Sequence, residues 1–239
     1  MRIGNSQGVY CRYIKRFLDV LCALLALVVF CWLYLILAIL VRIKHGRPII
    51  YSQERPGRID PATGRETTFR LYKFRSMTNA RDADGNLLPD KDRITRFGHI
   101  LRATSLDELP EAINILKGEM SVVGPRPWAV SYLDYFTPEE HRRHLVRPGL
   151  TGLAQVNGRT AANWDERLKY DIEYVDHLSF ALDIKIVLLT VRKVLHRSDL
   201  VEAGCQGDFD AYRRKQWEDG TVARPENAET DPAETGTGV

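Results

Sequence analysis

The chain has 239 residues, 44% of them hydrophobic, so it can bury one core in addition to a membrane-length apolar segment. The formal net charge is only +3, because an acidic end from Glu218 onward offsets a more basic body. A basic body of this kind suits anionic lipids and phosphorylated substrates. The usual sequence signatures of nucleic-acid binding are missing. The four cysteines include no C-x-x-C pair, which argues against a disulfide framework or a zinc site and predicts a reduced, cytoplasmic-side protein.

The first predicted element is a long apolar helix over residues 20–41, which contain no charged side chain. A helix of that length reaches roughly 33 Å, enough to cross a bilayer. Lys and Arg prefer the cytoplasmic side of a membrane, and here they flank both ends of the helix, which favours a re-entrant helix that dips in and returns. A re-entrant helix has to bend, and no proline lies within residues 20–41, so a simple span stays open as the alternative.

The rest of the chain predicts a small domain of class α+β, mainly helical. Strands are expected over 49–53 and 67–75 as a hairpin, with Pro56-Gly57 and residues 60–64 between them and a polar loop over 82–90. Helices are expected over 108–117, 138–146, 163–176 and 180–196. The last of these is apolar on more than one face, which fits an amphipathic helix in the lipid headgroup layer as well as a core helix.

Three regions follow from this pattern. Residues 1–47 form the membrane anchor, residues 48–204 the catalytic domain, and residues 205–239 a C-terminal extension. After roughly Trp217 the extension is rich in Glu, Thr, Gly and Pro, which predicts a disordered tail.

Two adjacent carboxylates, Asp107 and Glu108, are the leading candidates for chemistry. The run from Ser105 to Glu108 also matches a capping box that would only begin a helix, but Pro110 would then fall inside that helix and break a hydrogen bond. With the cap near Asp107, the proline lies in the first turn, and the positive helix end favours both ionised carboxylates. An ionised Asp can attack phosphorus, and an ionised Glu can bind Mg²⁺.

Cationic side chains recur around these carboxylates in the sequence. Each of them alone is a common surface ion-pair partner, but together they offer the forked donors that a diphosphate requires: Lys73, Arg75, Arg102, Arg126, Arg147 and Arg159. The phosphate-binding patterns G-x-G-x-x-G and G-x-x-x-x-G-K-[ST] do not occur, which disfavours dinucleotide and ATPase folds. His141 and His144 stand three apart without the carboxylate of an H-E-x-x-H motif, so a solvated basic helix face is favoured over metal ligation.

Five motifs occur in order, and together they resemble the bacterial sugar transferase family, the monotopic phosphoglycosyl transferases. They are Lys73-Phe-Arg-Ser-Met77, Ser105-Leu-Asp-Glu-Leu-Pro110, Leu116-Lys-Gly-Glu-Met-Ser121, Gly124-Pro-Arg-Pro127 and Arg147-Pro-Gly-Leu-Thr-Gly-Leu-Ala-Gln-Val-Asn-Gly-Arg159. The resemblance covers about residues 12–200 and is closest to the short form, which is the catalytic domain alone.

The resemblance implies Mg²⁺-dependent transfer of a sugar 1-phosphate from a UDP-sugar to polyprenyl (undecaprenyl) phosphate, at the cytoplasmic face of the bacterial inner membrane, as the first membrane step of glycoconjugate biosynthesis. Asp107 would be the nucleophile that forms a covalent phosphosugar intermediate and releases UMP, and Glu108 would hold Mg²⁺. The positions that match phosphate- or nucleotide-binding residues are Lys73, Arg102, Arg126 and Arg159, with weaker correspondences at Arg147 and Asp171.

The chain departs from the family pattern at two places. Where the family usually has a Ser-Pro that bends the re-entrant helix, this chain has Cys31-Trp32. Residues 205–239 match no motif, and none of the motifs specifies the sugar or the oligomeric state. Two other functions remain open: a catalytically silent membrane scaffold with a basic face, and an ordinary glycosyltransferase that would release UDP instead of UMP.

Overall fold

A computed structural model describes residues 8–157, 163–196 and 208–224. The described part is mainly helical with two small sheets, as the predicted α+β class requires. A π-helical turn, Tyr10–Ile14, leads into the helices and strands, which in chain order are α1 (Lys15–Val29), α2 (Cys31–His45), β1 (Ile50–Ile59), β2 (Glu66–Phe74), α3 (Asp90–Arg93), α4 (Arg96–Ala103), α5 (Glu111–Lys117), β3 (Ser121–Val123), β4 (Gly149–Thr151), α6 (Leu153–Asn157), α7 (Trp164–His177), α8 (Phe180–His196) and α9 (Phe209–Glu218).

The apolar segment folds as two helices with a bend between them. Among the described residues no single helix is long and apolar enough to cross a membrane. The segments Tyr10–Val29 and Cys31–His45 reach that length and apolarity only when taken together, and their axes are bent by 66° relative to each other. The bend is centred on Phe30, whose backbone leaves helical geometry at φ −101° and ψ 13° while its N–H still donates to the Ala26 carbonyl at 3.0 Å. The bend therefore forms without a proline and without losing this backbone bond.

Buried polar contacts fix α1 to the rest of the domain. Asp19 accepts hydrogen bonds from the Ser121 hydroxyl and the Val122 N–H, both at 2.9 Å. One turn earlier, Lys15 donates to the Asp183 carboxylate in α8 at 2.7 Å. Because these groups are removed from water, breaking either contact would leave a polar or charged group unsatisfied. The helix is thus locked to β3 on one side and to α8 on the other.

The hairpin forms as predicted, with its turn at the predicted residues 60–64 and a longer first strand. Strand β1 pairs antiparallel with β2 from Ile50 opposite Phe74, and it continues through Pro56 to a bulge before Ile59. Pro56-Gly57 is therefore part of the strand, and the chain reverses between Asp60 and Arg65, whose backbones are hydrogen-bonded at 2.8 Å. Proline is tolerated there because, among the residues that the structure describes, the outer edge of β1 is not paired with a further strand.

Helix α5 packs on the hairpin and on α1. A buried apolar cluster joins the three elements: Ala23, Phe69, Leu71, Ala112, Ile115 and Met120. The buried Asn114 amide adds specificity, because it accepts from the Tyr72 N–H at 3.0 Å and donates to the Arg70 carbonyl at 2.7 Å. These bonds fix the register of α5 along β2, and so fix the turn that precedes α5.

The predicted helices are confirmed in part. Those over 163–176 and 180–196 correspond to α7 and α8, whereas the one over 108–117 begins only at Glu111 and the one over 138–146 is the 3₁₀ helix Glu140–Leu145. The residues before Glu111 form 3₁₀-type bonds instead, such as those from the Ala112 N–H to the Leu109 carbonyl and from the Ile113 N–H to the Pro110 carbonyl. The parallel pair β3–β4 is not anticipated by the sequence, because each strand has only three residues.

The C-terminal extension contains an ordered helix. Phe209, which is fully buried, packs edge-on against Trp128 with ring centroids 5.2 Å apart, and Arg213 donates to the Glu140 carboxylate at 2.6 Å. Helix α9 therefore continues to Glu218, one residue beyond the predicted start of the tail. Most of that tail, residues 225–239, lies outside the described residues. The proposed division into three regions stays a prediction.

Candidate active site

Asp107 and Glu108 lie on a short 3₁₀ helix, Leu106–Glu108, between α4 and α5. Ser105 precedes it in the left-handed region at φ 53° and its side chain makes no capping bond, so the capping box does not form. A left-handed non-glycine residue costs free energy and persists only where its surroundings impose it. The alternative of a capping box at Ser105 is therefore wrong.

Helix α2 lies against this 3₁₀ helix. The Tyr34 hydroxyl donates to the Leu109 carbonyl at 2.5 Å. Leu106 and Leu109 pack against a buried cluster that also contains Leu37 and Val41 of α2. The two carboxylates are thus held directly beside the apolar helix pair.

Glu108 is held between two cations. Lys73 from β2 donates to its Oε1 atom at 2.7 Å, and Arg126 donates to the same oxygen at 2.6 Å. Burial alone would raise the pKa of Glu108, but the charges of Arg126 and Lys73 outweigh it and hold that pKa well below its usual range. Glu108 is therefore an anion at every physiological pH, as the sequence predicts.

Asp107 behaves differently from the prediction. It is only 7% exposed, and burial together with the neighbouring charge of Glu108 raises its pKa to about 6, against the opposing charges of Lys73, Arg102 and Arg126. Burial and the charge of Glu108 thus shift the pKa of Asp107 in the direction opposite to the one expected at a helix end, but the carboxyl group is still mostly ionised near neutral pH. The ionised carboxylate of Asp107 is consequently a poorly solvated, high-energy anion near neutral pH.

Arg126 is placed by a buried network that the sequence does not reveal. Asp171 accepts from Arg143 at 2.6 and 3.0 Å, and the same guanidinium donates to the Arg126 carbonyl at 2.7 Å. Both partners of this ion pair are almost fully buried. Asp171, predicted as a substrate-binding residue, therefore positions Arg126 through Arg143.

The loop around Arg126 is also held through its backbone. The Gly124 N–H donates to the Thr151 carbonyl at 2.8 Å, and the Gly149 N–H donates to the Pro125 carbonyl at 2.9 Å. The two glycines meet so closely that a Cβ on Gly149 would lie 2.1 Å from the Gly124 nitrogen. This close approach explains why both motifs carry glycine at these positions.

The remaining predicted cations lie in different places. Arg102 donates from Nε to the Ser76 hydroxyl at 3.0 Å, and its charge acts on Asp107. Arg147 lies at the other end of α5, where it donates to the Gly118 carbonyl at 2.9 Å; burial and the charges of Arg58 and Arg16 lower its pKa. Arg159 lies outside the described residues. Substrate binding by these three side chains stays a prediction.

Glu111 was not identified as a site residue from the sequence. It is 2% exposed, and its carboxylate lies 3.3 Å from the Lys73 ammonium. Burial and the charge of Glu108 raise its pKa to about 7. Its position four residues after Asp107 and three after Glu108 is the signal that could have indicated it.

The donor chemistry of this site fits a hard divalent cation. Glu108 lies against Lys73 and Arg126, and its charge acts on the carboxyl groups of both Asp107 and Glu111. Mg²⁺ is bound in proteins by one or two carboxylates, with water and substrate phosphates completing the octahedron. Glu108 is the ligand that fits best, because it stays ionised.

The histidine pair also differs from the prediction. His144 is buried at 5% exposure and His141 is half-buried, so they do not form a solvated helix face. Burial, with the charges of Arg143 and His141, lowers the pKa of His144 to about 2. A carboxylate does accompany the pair, but it comes from Glu66 at the start of β2, too far away in sequence to be recognised.

Comparison with known families identifies the family of this chain. The family model described as bacterial sugar transferase matches residues 10–197, which include every motif above. The chain belongs to the bacterial sugar transferase family. The match ends before α9, so the C-terminal helix lies outside the part that the family model covers.

Characterised and uncharacterised bacterial sugar transferases resemble this chain. The uncharacterized sugar transferase EpsL of Bacillus subtilis is 47% identical, over 76% of this chain and 87% of its own length. The UDP-glucose:undecaprenyl-phosphate glucose-1-phosphate transferase of Caulobacter vibrioides is 40% identical, over 76% and 69%. The UDP-N-acetylgalactosamine-undecaprenyl-phosphate N-acetylgalactosaminephosphotransferase of Aeromonas hydrophila is 38% identical, over 77% of this chain but 44% of its own length.

The raised pKa of Asp107 predicts a pH-dependent cost in stability. The folded state binds this proton more tightly than the unfolded state, so stability falls as pH rises from about 4 to 6 and the full cost is present above pH 6. Asp107→Asn removes the buried charge and should raise the free energy of unfolding by about 1–3 kcal/mol at pH 7.5. Denaturant unfolding in detergent measures this.

The matched control is Glu173→Gln, which removes an exposed carboxylate on α7. It should leave the free energy of unfolding within about 0.5 kcal/mol of the wild type at every pH. At pH 4 the advantage of Asp107→Asn should vanish. An advantage that is equal at pH 4 and pH 7.5 would contradict the assignment of the cost to this carboxyl group.

Proposed function

We propose that the protein transfers a sugar 1-phosphate from a UDP-sugar to polyprenyl phosphate, through a covalent intermediate on Asp107. The observation that carries the proposal is the buried carboxylate of Asp107, of raised pKa, beside three cations. The names of the Caulobacter and Aeromonas relatives support this choice of substrates, since both describe transfer from a UDP-sugar to undecaprenyl phosphate.

In the first step an ionised oxygen of Asp107 attacks the phosphorus that bears the sugar. A bond forms between this oxygen and phosphorus, and the bond from phosphorus to the bridging oxygen of the diphosphate breaks. UMP leaves with that oxygen, and Asp107 carries the sugar phosphate. Burial favours this attack, because a poorly solvated carboxylate gives up little hydration when it bonds to phosphorus.

The cations bind the diphosphate and stabilise the charge that develops on it. Arg126 keeps 35% of its side-chain surface exposed, so its guanidinium can contact a substrate while it also contacts Glu108. Lys73 and Arg102 approach Asp107 from β2 and α4, and their charges act on the same carboxylate. Preorganised cations of this kind stabilise a phosphoryl-transfer transition state without reorganising solvent.

Glu108 would hold Mg²⁺, which when bound neutralises diphosphate charge and aids departure of UMP. Glu108 suits this role because Lys73 and Arg126 keep it ionised. Both cations meet its Oε1 atom, an arrangement that fixes the orientation of the carboxylate.

In the second step an oxygen of polyprenyl phosphate attacks the same phosphorus. The bond to Asp107 breaks, the carboxylate is regenerated, and the product is a polyprenyl diphosphate sugar. A covalent intermediate lets two bulky substrates use one site in turn. The contact between Tyr34 and Leu109 places the site beside the apolar helices, where a lipid phosphate would arrive.

The protein would sit on the cytoplasmic face of the bacterial inner membrane, with α1 and α2 as a re-entrant pair. The chain bends by 66° between the two helices, which is compatible with re-entry. Large apolar side chains are exposed on both helices: Phe17, Leu24, Leu25, Val28, Val29, Trp32, Leu35, Ile36, Ile39 and Ile43. Helix α8 would lie in the headgroup layer, with Phe180, Ile184, Leu188 and Val191 exposed.

The identity of the released nucleotide tests the reaction. Protein in detergent with Mg²⁺ and polyprenyl phosphate is given a panel of UDP-sugars, and the products are separated by chromatography. We expect UMP with at least one sugar, loss of turnover by at least about 1,000-fold for Asp107→Asn, and unchanged turnover for Glu173→Gln. Release of UDP would identify an ordinary glycosyltransferase, and full activity of Asp107→Asn would reject the nucleophile.

Cysteine labelling tests the topology. In a chain whose native cysteines are replaced, Asn5→Cys and Thr63→Cys place one thiol on each side of the bent pair. A membrane-impermeant reagent should label both thiols in inverted vesicles and neither in right-side-out vesicles, because a re-entrant helix keeps both ends in the cytoplasm. Labelling of the two thiols from opposite sides would show that the pair spans the membrane.

A further inference from the structure

Glu66, His141 and His144 form a cluster that the proposed reaction does not use. Glu66 begins β2, and the two histidines lie on the 3₁₀ helix Glu140–Leu145. The Glu66 Oε1 atom lies 2.6 Å from His141 Nδ1 and 3.5 Å from His144 Nδ1. One ligand atom from each residue lies within 4.8 Å of the others.

His144 is the unexplained member of this cluster. It is 5% exposed, and within the described chain neither of its ring nitrogens makes a hydrogen bond of normal geometry; the Glu66 Oε1 atom, 3.5 Å from Nδ1, is at the limit of one. A buried polar group without a partner costs roughly 1–3 kcal/mol, so native structures rarely leave one without a reason. Contact with the Phe136 ring, 5.6 Å between centroids, packs the ring but satisfies neither nitrogen.

We propose that Glu66, His141 and His144 bind a Zn²⁺ ion, with water as the fourth ligand. Two imidazole nitrogens and one carboxylate oxygen are a donor set typical of zinc, whereas Mg²⁺ prefers oxygen ligands alone. This site is separate from the one at Glu108 and goes beyond the proposed reaction.

The two distances from the Glu66 carboxylate to the histidines are close to those of a tetrahedral site, and the ligand atoms of the two histidines lie within 4.8 Å of each other. Zinc ligands at about 2.0–2.2 Å in a tetrahedron lie about 3.4 Å from each other. The distance from Glu66 Oε1 to His144 Nδ1 is 3.5 Å, within 0.1 Å of this value. The distance from Glu66 Oε1 to His141 Nδ1 is 2.6 Å and would have to increase by less than 1 Å. His141 keeps 32% of its side-chain surface exposed, which leaves a path for the ion and its water.

The surrounding charges permit a cation. Arg143, the cation next to His144 in the chain, is neutralised by Asp171 at 2.6 Å and stacks on Trp128 at 4.3 Å. Its charge is therefore balanced locally, and the Glu66 carboxylate is available to offset the ion.

A zinc ion at this site would connect the β1–β2 hairpin to Arg143, the residue that holds the Arg126 backbone. Zinc at this position ties the first residue of β2 to the 3₁₀ helix that carries Arg143, and Arg143 holds the Arg126 carbonyl. The proposed role is structural: the ion stabilises the segment behind the phosphate-binding arginine.

Zinc binding to chelator-treated protein in detergent, in competition with a chromogenic chelator, tests the proposal. The wild type should bind one Zn²⁺ per chain with sub-micromolar affinity, and Glu66→Gln and His141→Gln should weaken binding by about 100-fold or more. Co²⁺ should give the intense visible absorption of a four-coordinate complex in the wild type and lose it in both variants. The matched control is His177→Gln, which changes an exposed histidine and should bind zinc like the wild type.

Two further measurements distinguish a loss of zinc binding from a loss of folding and from a failure of the proposed reaction. Circular dichroism of metal-free Glu66→Gln and His141→Gln should match that of the metal-free wild type, so that lost binding is not lost structure. Glu108→Gln should lose transfer activity and keep zinc binding. The proposal fails if the wild type does not bind zinc at micromolar concentration, or if both variants bind it equally well; the cluster would then be a hydrogen-bonded Glu–His pair beside a packed imidazole.

Discussion

The active site depends on the Glu108 carboxylate being held by Lys73 and Arg126. Two adjacent carboxylates, both largely removed from water, repel each other and would protonate without compensation. The two cations meet Glu108 at 2.7 and 2.6 Å and keep it ionised, so the remaining cost of burial falls on Asp107 and Glu111. Glu108 is thus held as an anion, while the pKa of its neighbour Asp107 is raised to about 6, which suits the nucleophilic role proposed for it.

Rigid elements around the site maintain this arrangement. Lys73 comes from a strand whose register is fixed by Asn114, and Arg126 from a loop tied to Gly149 and to the Arg143–Asp171 ion pair. These supports reach back to α1 and α2 through buried polar contacts, so the apolar helices and the phosphate-binding groups form one structure. The proposed reaction, in which the site would meet both a nucleotide in water and a lipid phosphate, requires this connection.

Much of the site could be predicted from the sequence, because Lys73, Asp107, Glu108 and Arg126 lie in short motifs that carry their chemistry. The helices α7 and α8 were predicted from their long periodic patterns. Long-range contacts could not be predicted in this way. Glu66 meets His141 across 75 positions, and only the fold shows this pairing. The pKa of Asp107 likewise depends on burial, which no local pattern records.

The central claim is that an oxygen of Asp107 bonds to phosphorus, and intact-protein mass spectrometry tests it most directly. Protein is incubated with Mg²⁺ and the UDP-sugar that supports turnover, without any lipid acceptor, and is then digested to locate the modification. The account predicts an added mass of one sugar phosphate on the peptide that contains Asp107, and its disappearance when polyprenyl phosphate is added. An unmodified peptide under conditions of measurable turnover would contradict it.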